Sequence, residues 1–160
     1  SLNIVIGGAA GAIPPIIGWT SVTPEISLLP LSMFVIIFFW TPPHFWALSV
    51  YRFNDYAKAK VPMLPNVSSI DETKKQIIYY SVILIASSYL PYIDKGVGLI
   101  YFVIATILNF FLLNNAIKLK KSKEKKSIPN TEGLKFFALT IFYLFSLFAG
   151  LLIDLSLIHI

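Results

Sequence analysis

The sequence has no cysteine, which excludes disulfides, thiolate chemistry and iron–sulfur ligation and leaves the redox compartment unmarked. Charge is also scarce: 13% of the 160 residues are Asp, Glu, Lys or Arg, against roughly 25% in soluble domains. Only two histidines occur, and nowhere do two Asp stand three residues apart. Around His44, no nearby His, Cys or paired carboxylate supplies the partners a zinc-type site needs. Neither an internal repeat nor a low-complexity tract is evident.

What remains is apolar: 56% of the residues are hydrophobic and 15% aromatic. Several apolar stretches approach or exceed the roughly 18 to 20 residues that cross a bilayer. The composition therefore predicts an all-α, polytopic transmembrane helix bundle. Hydropathy places about five transmembrane helices near residues 3–22, 27–51, 76–93, 97–117 and 134–157. The chain starts at Ser1 without a signal peptide and closes on LSLIHI without a polar stop. Both ends are expected to be truncations, with residues 155–160 a non-native tail that removes His159 from consideration.

A net charge of +5 would point to nucleic acid in a soluble protein, but here its distribution decides, and no nucleic-acid partner is expected. Of the 13 Lys and Arg, five fall in residues 52–75 and seven in residues 118–135; the connection near 23–26 has none and that near 94–96 has only Lys95. This alternation follows the positive-inside rule and predicts a multi-pass protein with loops 52–75 and 118–135 cytoplasmic. The Lys- and Ile-rich composition points to a bacterial inner membrane. The run KLKKSKEKKS, residues 118–127, is read first as a solvated topogenic loop. Its alternative is a surface for anionic lipid headgroups, each Lys contributing about 1 kcal/mol close to the membrane.

In the first apolar segment Gly7 and Gly11 have the GxxxG spacing that lets helix backbones approach, and Pro14-Pro15 predicts a kink. Pro42-Pro43 breaks the second segment one turn before a polar cluster, as a cavity or as a plain structural kink. Asn109, Asn114 and Asn115 read as interhelical or interfacial hydrogen-bonding residues.

Chemistry concentrates in WTPPHFWALSVYRFNDYAKAKVPMLPNV, residues 40–67. His44 is either a packing residue or a contact for substrate or haem, for which one axial imidazole suffices. Asp55 follows Arg52 by three residues and Tyr51 by four, so all three share one helical face, with Lys58 and Lys60 within the next turn. A carboxylate among cations is the composition of a magnesium–diphosphate site. It is equally that of a juxtamembrane cluster whose Asp pairs with Arg or Lys. In VPMLP, Pro62 and Pro65 make a rigid turn that presents Met63 and Leu64 as the cap of an apolar pocket.

The blocks NIVIGGAAGAIPPIIGW, WTPPHFWALSVYR and DYAKAKVPMLPNV resemble the haem-farnesylating members of the UbiA-type intramembrane prenyltransferase family, most specifically over residues 3–67. The resemblance implies a nine-helix membrane fold of which this chain holds the last five. It implies transfer of a farnesyl group from farnesyl diphosphate, with Mg²⁺ as cofactor, to a vinyl group of haem b, giving haem O for terminal oxidases. Contact with oxidase haem-maturation proteins follows from that role. By the same resemblance the family's polar motif falls on Tyr51, Arg52, Asp55, Tyr56 and Lys58: Tyr51 and Asp55 are catalytic, Asp55 is the metal ligand, and Arg52 and Lys58 bind diphosphate, joined by Lys60 one turn on, where the family more commonly has a small or neutral residue. Trp40, His44, Phe45, Trp46, Met63 and Leu64 form the haem or prenyl pocket. Ala59 stands where the wider family often has a second acid, and the family's first Asn/Asp motif is expected before Ser1, so the 160 residues alone are expected to be inactive. The competing readings are a UbiA-type transferase with a quinone-precursor acceptor, a polytopic transporter and a non-catalytic oxidase assembly protein.

Overall fold

A computed structural model of the chain describes residues 3–93, 97–123 and 130–158. Among them lie nine helices and no strand: α1 (Asn3–Ala12), α2 (Pro14–Thr20), α3 (Leu28–Tyr51), α4 (Phe53–Lys58), α5 (Leu64–Val67), α6 (Ile70–Ser87), α7 (Leu90–Ile93), α8 (Leu99–Lys121) and α9 (Thr131–Ile158). Helices α3, α6, α8 and α9 form a ring in which each packs on the next in chain order and α9 closes back on α3. Helix α1 lies outside this ring, against α3.

The ring follows from helical periodicity. Along α8 the buried apolar residues are Tyr101, Ala105, Leu108, Leu112, Ala116 and Leu119, and along α9 they include Phe136, Tyr143, Leu147 and Leu151. These three- and four-residue steps set one inward stripe per helix. The outward stripes are apolar as well, with Val103, Ile107, Phe110, Phe142 and Phe145 exposed. Apolar surface on both faces is what a helix between protein and lipid requires. Four segments (Leu28–Tyr51, Ile70–Ile93, Leu99–Lys121 and Thr131–Leu157) are long and apolar enough to cross a membrane, and Ile4–Thr20 is a shorter apolar one. The protein is an integral membrane helix bundle with, among the described residues, four apolar segments of full length and one short.

Buried polar groups tie the ring together. Tyr143 donates to Asn109 Oδ1 at 2.8 Å, and Asn109 Nδ2 donates to Ser88 Oγ at 2.8 Å. Tyr101 donates to the Ser88 carbonyl at 2.7 Å. At the end of the bundle near α7, the buried Asp154 carboxylate accepts the Gly98 amide at the start of α8, where the helix dipole favours an anion.

Several boundaries differ from expectation for identifiable reasons. The first segment is interrupted at Ile13, where Pro14 and Pro15 begin α2. Pro42 and Pro43, by contrast, sit inside an unbroken α3, so the expected break there is a pair of buried prolines within one helix. The third segment starts at Ile70 rather than near 76 because Ser69 Oγ caps the Glu72 amide at 3.0 Å. Within residues 52–75, expected as a loop, lie α4, α5 and the first turn of α6. Asn115 turns back onto its own helix at the Phe111 carbonyl, 2.9 Å away, and Asn114 is exposed, so Asn109 alone of the three bridges helices. Leu155 packs on the bundle core and α9 runs to Ile158, whereas Ser1, Lys95, Lys125, Lys126 and His159 lie outside the described residues.

Candidate active site

Helix α3 ends because Arg52 leaves helical geometry at φ −95°, ψ 27° while its amide still closes on the Leu48 carbonyl at 2.8 Å. The Arg52 carbonyl then accepts the Asp55 amide at 3.0 Å and the Tyr56 amide at 3.1 Å, so α4 starts at once. This bend brings Tyr51, Arg52 and Asp55 to one point. Arg52 Nη1 donates to Asp55 Oδ2 at 3.0 Å, and the guanidinium carbon sits 5.3 Å from the centre of the Tyr51 ring. The Arg52 and Asp55 side chains are 56% and 61% exposed, so their ion pair adds little stability and is open to exchange for a charged ligand.

Helix α4 is stopped by a turn that places Lys60 at φ 54°. The Lys60 amide donates to the Ala57 carbonyl at 3.2 Å and the Val61 amide to the Tyr56 carbonyl at 3.1 Å, the paired closure that glycine usually serves. Lys58 and Lys60 are exposed and pair with no carboxylate among the described residues. The chain then folds inward: Met63 is buried, and its carbonyl accepts the Asn66 amide at 2.9 Å to start α5.

Beneath this connection lies a cavity of about 510 Å³. Its walls are the glycine face of α1 (Gly7, Gly8, Gly11) and Trp40 and Phe45 of α3, with Tyr56 and Met63 at the polar end. Gly8 is the point of close approach, since a Cβ there would meet Thr41 side-chain atoms at 3.1 Å. Gly7 and Gly11 face open space, with nothing within 4 Å of an added Cβ. The small residues thus serve two purposes, helix contact at Gly8 and cavity width at its neighbours.

The expected pocket divides. Trp40, Phe45 and Met63 line the cavity. His44 meets α9 instead: it is stacked between Trp40 and Phe137, with ring centres 4.2 and 4.4 Å away, and its Nδ1 lies 2.7 Å from Thr140 Oγ1. Because Thr140 donates its own proton to the Phe137 carbonyl at 2.6 Å, His44 Nδ1 carries the shared proton. Trp40 Nε1 donates to the Thr140 carbonyl at 2.7 Å, locking the cavity wall to α9. Trp46 is buried edge-on against Tyr80 of α6, and Leu64 packs on the core.

Tyr56, which belongs to the polar motif read from the sequence, lines the cavity. Sequence reasoning passed over two contributions. The cavity role of Gly7 and Gly11 lay hidden behind their helix-packing motif. Thr140 had no local signal, being 96 residues from His44. Among the described residues no three His, Cys, Asp or Glu gather as a metal cage. Asp55 is a single exposed carboxylate with one oxygen held by Arg52. That fits Mg²⁺, which is held by one or two carboxylates together with substrate phosphates and water.

The model of the UbiA prenyltransferase family matches residues 1–141. Curated proteins named protoheme IX farnesyltransferase are similar over 95% of the chain: that of Pelagibacter ubique is 48% identical over 152 residues, half of its own length. Those of Bradyrhizobium diazoefficiens and Idiomarina loihiensis are 48% and 49% identical, with 48% and 49% of their lengths covered. The chain spans about half the length of the curated relatives it matches. No solved structure matches.

Proposed function

The chain belongs to the UbiA prenyltransferase family, and from that membership we propose that it serves the transfer of a farnesyl group from farnesyl diphosphate to a vinyl group of protohaem IX, giving haem O. The observation that carries this reading is 48% identity over 95% of the chain to proteins named for that activity. In the reaction the allylic C–O bond breaks and diphosphate leaves with the electron pair. The vinyl π electrons then form the new C–C bond, and water adds to the resulting cation with loss of a proton.

The exposed cations at the end of α3 suit the first step. Arg52, Lys58 and Lys60 would take phosphate oxygens, with Arg52 exchanging its bond to Asp55 for one to the ligand. Tyr51 supports the guanidinium with its ring, and its hydroxyl, which has no partner among the described residues, would donate to a phosphate oxygen. Asp55 would hold Mg²⁺, which when bound takes charge off the leaving group. The cavity suits the isoprenoid: Trp40, Phe45, Tyr56 and Met63 offer an apolar, aromatic wall that would shield an allylic cation from water. His44, Trp46 and Leu64 would hold that wall from behind. The basic ends of the helices support an orientation with this site on the cytoplasmic side of a bacterial inner membrane.

The test is a chimera in which residues 3–158 replace the matching half of the Pelagibacter ubique relative. It should convert protohaem IX and farnesyl diphosphate to haem O and leave 4-hydroxybenzoate unmodified as an acceptor. A stably inserted chimera without haem O, or one that prenylates 4-hydroxybenzoate, would refute the assignment. Asp55→Asn in the chimera should lower turnover on the order of 100-fold or more. Unchanged turnover would remove Asp55 from the mechanism.

A further inference from the structure

The lysines where α6, α8 and α9 meet divide into two sets. Lys74 is buried and donates to the Ser122 carbonyl at 2.9 Å, and Lys120 pairs with Asp71. Lys75 lies 3.3 Å from Asp71 and 3.4 Å from Glu72, and Lys135 lies 2.6 Å from Glu132. Each of these serves a helix end or a helix contact. Lys118 and Lys121 differ: both are exposed on α8, and no carboxylate among the described residues pairs with either; Lys123 is likewise exposed but lies past the end of α8.

Their place on α8 identifies what they face. The exposed residues of that helix recur at helical spacing from Leu99 through Val103, Ile107, Phe110 and Ile117. Lys118 and Lys121 extend the same stripe. From Leu99 to Ile117 an α-helix rises roughly 27 Å, close to the ~30 Å hydrocarbon thickness of a bilayer. The two lysines therefore leave the apolar layer on its lipid side, at headgroup level, rather than in the water above the bundle. Three residues apart, they share one helical face.

We propose that Lys118 and Lys121 form a binding site for the headgroup of an anionic phospholipid in the leaflet at the basic end of the bundle. Charge complementarity favours this occupant, since carboxylates among the described residues pair with Lys75, Lys120 and Lys135 and with neither of these two. The phosphate of such a lipid sits at the depth where the apolar stripe stops, and its acyl chains lie along Ile117, Phe110 and Ile107. The site is separate from the α3–α4 cluster and stands whether or not the transferase assignment does.

Native mass spectrometry of the protein in detergent, titrated with phosphatidylglycerol against phosphatidylcholine, tests the site. The unaltered protein should retain phosphatidylglycerol preferentially. Lys118→Gln/Lys121→Gln should lower that affinity about tenfold, and Lys118→Arg/Lys121→Arg should preserve it. Lys75→Gln/Lys135→Gln removes the same charge from internally paired positions and should leave the affinity unchanged. An equal loss in that control would show that only net charge matters and would overturn the proposal. So would retained preference in the Lys118→Gln/Lys121→Gln protein, or displacement of the lipid by equimolar inorganic phosphate. Should the Gln pair fail to insert, preference in the Arg pair against its loss in Lys118→Ala alone decides the matter in the same way.

Discussion

Gly133 holds the first turn of α9 against the last turn of α3 by lacking a side chain: a Cβ would lie 3.0 Å from the Ala47 carbonyl oxygen and 3.3 Å from the Tyr51 amide. Neither backbone atom can move without shifting Tyr51 and, with it, Arg52. Gly133→Ala should therefore lower stability by about 1–3 kcal/mol, read as a fall in the unfolding midpoint in detergent. Gly18→Ala, with nothing within 4 Å, should be neutral or slightly stabilising. At this scale the sequence was partly legible. The Arg52–Asp55 pair could be read because three residues on a helix fix a shared face. The partner of His44 could not, because contact with Thr140 depends on two helices meeting across 96 residues. The left-handed backbone of Lys60 had no signal in its side chain, because the turn that ends α4 sets it.

The connection from α3 to α6 shows what hydropathy can and cannot resolve at the scale of elements. Apolar runs located α3, α8 and α9 to within a few residues because lipid contact and helix coincide there. They placed the start of α6 about six residues late, because Asp71, Glu72, Lys74 and Lys75 look like loop on a hydropathy scale. The Ser69 N-cap, whose Oγ accepts the Glu72 amide, carries the correct signal, a hydrogen-bonding one. α1 has the opposite ambiguity, since its glycines read equally as packing or as space. Gly11→Leu separates the two: the added side chain meets no protein atom within 4 Å of its Cβ and projects into the cavity. Expression and unfolding midpoint should stay near those of the unaltered protein, while affinity for farnesyl diphosphate or a farnesyl analogue in the chimera falls at least about tenfold. Unimpaired binding in a folded variant would place the isoprenoid elsewhere.

For the whole molecule, the four-helix ring has no soluble-type driving force between helices, since lipid is as apolar as the core. Its specificity rests on close packing and on the Tyr143–Asn109–Ser88 chain, which joins α8 to α9 and to the end of α6. Asn109→Ala leaves the Tyr143 hydroxyl without its acceptor, and should destabilise the bundle by about 1–2 kcal/mol. Equilibrium unfolding in mixed micelles would measure it, and a change below a few tenths of a kcal/mol would mean the chain is incidental. The helical bundle was legible from composition; the ring order was not, because hydropathy carries no information about which helices are neighbours.

That ring has a consequence for biogenesis. Every contact around it joins successive helices except the last, where α9 meets α3 through Thr140 and Gly133. A ribosome must add about 80 residues after Tyr51 before α9 begins, which at 5–20 residues per second takes roughly 4 to 16 s. Over that interval His44 and the flank of Trp40 lack the α9 groups that hold them, Phe137 and Thr140. The polar end of α3 is thus made well before the α9 residues that complete its surroundings.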